Sequence, residues 1–129
     1  MSMKRPGKGQ SLVETALMLP VLLLLLTGII DFGLLFNSYL VVSNAAREGA
    51  RFAAVGNTDT EIITKVGNAA ASLDLARLQT VITPVESVRN PGDSVTVTVR
   101  YGYSMITPVI GAFFPDEFNI ETSTTMRCE

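Results

Sequence analysis

With 129 residues the chain has room for one small domain beside a membrane segment, and a formal charge of −2 gives no electrostatic case for binding nucleic acid. It has no histidine and a single cysteine, Cys128, which removes the usual zinc ligands, the commonest general base and any intramolecular disulfide. Most of the apolar character lies in residues 12 to 36.

The chain opens with a basic stretch holding Lys4, Arg5 and Lys8 and then turns apolar, with no charge from Thr15 to Ile30. A helix needs roughly 20 mostly apolar residues to cross the hydrocarbon core, and Leu12 to Phe36 supplies them. A cleaved secretory signal has a shorter apolar region followed by a small-residue exit, and none stands beside this run. The expectation is therefore an uncleaved span. The flanking cations place its N-terminus in the cytoplasm and residues 40 to 129 outside.

Three residues interrupt this span. Glu14 puts a carboxylate just inside the apolar run, which is costly in hydrocarbon and points to function unless the residue lies at headgroup level. Pro20 removes a backbone donor and predicts a kink or local unwinding around residues 16 to 20. Asp31 is expected near the outer interface as a solvated helix side chain.

Helical character continues through residues 37 to 55 with two rows of small residues: Ala45, Gly49 and Ala53, and Ala46, Ala50 and Ala54. Residues four apart stack on one helix face, so another backbone can approach closely there. Either this face covers the protein's own sheet, the favoured reading because a sheet needs a cover, or it meets neighbouring subunits. Arg47, Glu48 and Arg51 decorate the remaining surface. Gly56 and Asn57 supply a stop, and Thr58 with Glu61 has capping-box spacing, opening a short helix over about 59–72.

From Leu78 the texture is that of strands. A first run over about 80–88 contains Pro84, which makes it an edge strand or breaks it. A turn cluster at residues 90–93 leads into 94–104, where Val95, Val97, Val99, Tyr101 and Tyr103 alternate with polar residues. A last alternating run covers about 118–127. Between these two strands, Ile106, Val109, Ile110, Phe113 and Phe114 are too apolar for an ordinary loop; the segment tucks under the sheet, dips into the outer membrane interface or meets a partner. The fold class expected is α+β: a long N-terminal transmembrane helix leading into a small domain with a second helix and an antiparallel sheet of about three strands. No nucleophile–base spacing and no glycine-rich phosphate loop is present, and Asp116, Glu117 and Glu121 read as solvated acids, so no enzyme and no cofactor is expected.

A basic leader, Gly9, and Glu14 five residues later before an apolar helix together resemble the class III signal of type IV pilins and pseudopilins. The stretch GQSLVETALMLPVLLLLLTGIIDFGLLFNSYLVVSNAAREGARFAAV resembles more closely the TadE-like family of tight-adherence (Tad, or Flp) pilus systems, in LVE and LP, in GIIDFG and in AAREGARFAAV. The closing STTMRCE resembles the family's last strand. One departure is Thr15, where Tad pseudopilins usually carry an aromatic residue. The resemblance implies a pilin-like minor subunit, since the major Flp pilin is essentially a helix alone. It implies a single-pass protein of the bacterial inner membrane, with a prepilin peptidase cutting between Gly9 and Gln10. It further implies that Glu14 pairs with the new amine of Gln10 on a neighbouring subunit. The partners implied are that peptidase, other pilin subunits, the inner-membrane assembly platform and membrane lipid.

Overall fold

The computed structural model describes residues 7–113 and 117–129. Lys4, Arg5, Phe114 and Asp116, and the side chains of Val109 and Ile110, lie outside what is described. The chain is α+β and pilin-like. Helix α1 (Lys8–Ala54) is 47 residues long and is followed by α2 (Asp59–Ala69), β1 (Leu78–Thr83), β2 (Ser94–Tyr103), a short α3 (Pro108–Phe113) and β3 (Phe118–Arg127). The strands form one antiparallel sheet in the order β1-β2-β3, with Ile82 opposite Val97 and Tyr101 opposite Ile120.

α1 runs unbroken through Pro20, so the unwinding expected at residues 16 to 20 is absent. Proline removes one donor from a ladder of more than forty residues. The Leu-rich sequence on either side propagates helix well enough to absorb the loss. The helix stops where Gly56 takes a φ of +91°, a left-handed conformation that glycine adopts without a steric penalty. Asn57 Nδ2 then donates to the Phe52 carbonyl at 2.7 Å and covers one of the exposed helix-end acceptors. At the start of α2 both halves of the capping box form: Thr58 N donates to Glu61 Oε2 at 2.9 Å, and Glu61 N to Thr58 Oγ1 at 3.3 Å.

The core lies between one face of the sheet and the upper half of α1 together with α2. Val95, Val97, Val99, Tyr101, Tyr103, Ile82 and Ile120 meet Val42, Ile62, Val66 and the alanines of α1. Complete burial of side chains such as Ile62, Val66 and Val97 is worth roughly 1.5–3 kcal/mol each. The opposite sheet face carries a cross-strand ladder of pairs: Thr96 with Thr125 at 2.8 Å, Thr98 with Ser123 at 2.8 Å, and Arg100 with Glu121 at 2.7 Å.

β1 begins two residues earlier than the run expected from 80 and ends at Thr83, immediately before Pro84; it is an edge strand. α2 ends at Ala69 rather than near residue 72. Within the apolar stretch after β2, Pro108–Phe113 forms a helical turn and a half, in which Gly111 N donates to the Thr107 carbonyl at 2.9 Å.

Candidate assembly and membrane surface

The lower half of α1 touches nothing else among the described residues. Every residue from Gly7 to Leu26 is exposed, including a nearly continuous series of leucines, and α1 is the one described helix long and apolar enough to cross a membrane. Gly9 and Gln10 lie in the first turn, where the amide of Ser11 donates to Gly7 O at 3.0 Å. A Cβ on Gly9 would meet nothing within 4 Å. Glu14 stands one turn further on, exposed and without a hydrogen-bond or ion-pair partner among the described residues. Gln10 and Glu14 are four residues apart on a helix and therefore share a face.

The small-residue rows lie in the other half of α1 and are filled from within. Ala45, Ala46, Gly49, Ala50, Ala53 and Ala54 are all buried against the protein's own α2 and sheet. Gly49 is the tightest point, because a Cβ there would come 2.5 Å from Val66 Cγ2 and 3.2 Å from Val97 Cγ1. No neighbouring chain can reach this face while the domain is folded.

Asp31 is not a solvated side chain. It is 1% exposed, and its two carboxylate oxygens accept from Ile106 N at 3.2 Å and Thr107 N at 3.1 Å. These are free amides just ahead of α3, whose first residue, Pro108, has none to offer. A carboxylate shielded by its own domain would be expensive without donors, and two backbone N–H groups supply them. Above it, the Tyr103 hydroxyl donates weakly to the Asp31 carbonyl at 3.5 Å. Burial, and then the nearby Asp31 charge, push the Tyr103 phenol above its ordinary 10.0.

A second buried polar centre, which the sequence reading missed, ties the far end of the domain together. Arg89, its side chain 6% exposed, donates to Asp59 Oδ1 at 3.1 Å and to the Asn57 carbonyl at 3.0 Å. Asp59 and Glu86 each accept the other's backbone amide, at 3.1 and 3.2 Å. An arginine beside a turn cluster gives no sequence signal for such a role. Of the acids beside β3, Glu121 is engaged by Arg100, and the exposed Glu117 lies over Gly102. No group of three or more potential metal ligands occurs among the described residues. Cys128 is a buried free thiol; the amide of Cys128 donates to the Asp93 carbonyl at 2.7 Å, in a strand-end loop anchored on α1 by Glu129 N donating to Ala54 O at 2.9 Å.

No curated protein and no solved structure matches this chain. A family model does match, over residues 9–51, a segment that starts at Gly9, includes Glu14 and Asp31 and ends three residues before the last of α1. That model is described as TadE-like protein, and the chain is similar to it over this helix, one third of its length.

Proposed function

We propose that the protein is a membrane-anchored structural subunit, a minor pilin or pseudopilin of a Tad-type pilus or secretion assembly. The observation that carries this reading is the bare lower half of α1, an apolar rod with one carboxylate, Glu14, that has no partner among the described residues, inside the TadE-like match. In this reading residues 12–30 span the bacterial inner membrane and Lys4, Arg5 and Lys8 hold the N-terminus in the cytoplasm. A prepilin peptidase cuts after Gly9, and the helix then packs among other pilin subunits and the assembly platform. Glu14 meets the freed amine of Gln10. In a dry site a charge needs a partner, so correct subunit register is favoured over misplacement. The same-chain amine, one turn away on the same face, is the competitor that a neighbouring subunit must displace.

Mass spectrometry of the mature N-terminus from a peptidase-positive cell tests the processing step. Gln10 as first residue is expected, with Gly9→Ala leaving a precursor nine residues longer by the numbering of the chain. A mature protein that keeps its leader in that cell supports a second reading, an unprocessed bitopic scaffold of the assembly platform. Two features favour that alternative: Thr15 stands where an aromatic residue is usual, and the Gly9–Gln10 bond lies within the first turn of α1, which must open to enter a protease. A reporter that works only outside the cytoplasm, fused after Glu129, tests the orientation; activity of a cytoplasm-only reporter there would refute it.

A further inference from the structure

The segment from Ser104 to Phe113 carries no charged residue, and two of its large side chains point outward: Ile106 is 69% exposed and Phe113 83%. Isolated apolar side chains on a surface need no explanation, but these two flank a short helix fixed at a definite height on α1. The two amides that open the helix are held by Asp31, and coverage of α1 begins one turn below it, at the half-buried Thr27 and Gly28.

That height can be converted into a depth. From Leu12, the first residue of the apolar run, Thr27 lies about 23 Å along the helix and Asp31 about 29 Å, at 1.5 Å per residue. The hydrocarbon core is roughly 30 Å thick. The carboxylate thus stands at the outer edge of the core, and whatever hangs from it lies between hydrocarbon and headgroups. The backbone there is suited to such a place, since the amides of Ile106 and Thr107 are occupied by Asp31, Pro108 has none, and Gly111 closes the first turn onto Thr107. Those three amides need no water.

We infer that Ile106–Phe113 is a second, interfacial membrane contact, bedded in the outer leaflet beside the span and held at that depth by Asp31. This rests on α1 being a membrane span. The contact would fix the domain's rotation about the helix axis, because one side of the domain is then committed to lipid.

The chain has no tryptophan, so single tryptophans report without background. The full chain is reconstituted into phosphatidylcholine–phosphatidylglycerol vesicles containing lipids brominated either near the headgroup or near the bilayer centre. Three variants are compared: Phe113→Trp, Leu22→Trp within the span, and Val88→Trp on the exposed far part of the domain. The expected result is deep quenching for Leu22→Trp, shallow quenching with a blue-shifted emission for Phe113→Trp, and neither for Val88→Trp. If Phe113→Trp behaves like Val88→Trp while Leu22→Trp is quenched, the interfacial contact is overturned and the span stands. If Leu22→Trp is not quenched, the span itself fails. Protection of Phe113→Trp from an aqueous quencher without bromolipid quenching would assign the surface to a protein neighbour, and would also overturn the inference.

Discussion

Gly49 and Val66 are so close that one added methyl on the first would stand 2.5 Å from Cγ2 of the second. α1 and α2 meet here with Val97 of the sheet as third party, and the absence of a side chain sets how near the helices lie to the strands.

Gly49→Ala is therefore expected to destabilise the domain, although alanine is the better helix former. Overpacking costs about 1–3 kcal/mol and the propensity gain returns at most about 1. Chemical denaturation in detergent should give a net loss of about 1–2 kcal/mol. Adding Val66→Ala should cost less than it does alone, since the two sites share one space. A Gly49→Ala protein as stable as the parent would mean that the helices have room to separate.

Thr122 offers the opposite case. Its hydroxyl is buried on the core side of β3, opposite Val99, and is without a hydrogen-bond partner among the described residues. Thr122→Val removes the stranded polar atom and keeps the shape, so stability should rise by about 1 kcal/mol. A loss of stability would indicate a partner for that oxygen, such as a bound water.

The Tyr103 phenol, raised above 10.0 by burial and by Asp31, makes stability depend on pH on the alkaline side. The folded state holds this proton more tightly than the unfolded chain. The stabilisation is thus complete below pH 10 and is lost as pH climbs through the raised folded value. Thermal unfolding as a function of pH should show this decline, and Tyr103→Phe should flatten it. An unchanged alkaline slope in the variant would remove Tyr103 as its source.

For Glu14, the proposed pairing with a neighbouring amine separates two outcomes. Glu14→Gln should still enter the membrane fraction, perhaps more readily since a charge is lost from the span, and should leave the distant sheet domain folded. Its incorporation into sheared pili should fall. Normal incorporation would reduce the residue to a headgroup-level carboxylate.

What the sequence made legible was whatever repeats. The 25-residue apolar run, the two alanine rows, the Thr58–Glu61 cap and the Val95-to-Tyr103 alternation each carry a period or a spacing, and each maps directly onto α1, α2 or β2. At Pro20 the unwinding does not occur because the helix-forming sequence around it carries α1 across one missing donor. Asp31 departs from expectation for a different reason. Like Glu14, Asp31 is a charge at an apolar run, and a charge that is buried needs donors. Those donors are backbone amides 75 and 76 residues away, and amides leave no mark in a sequence. The small helix at Pro108 was signalled only by Thr107–Pro108, a usable helix start hidden among apolar neighbours.

The single uninterrupted helix has a mechanical meaning. At 1.5 Å per residue α1 is about 70 Å long, and its bare lower half and its domain-bearing upper half belong to one helix whose hydrogen-bond ladder misses a donor at Pro20. A tilt imposed on the span above Pro20 reaches the sheet through this same helical shaft, and a pull on the sheet travels back down it. Asp31, bracing the domain's underside against the shaft, is the strut that keeps this lever from flexing where its load begins.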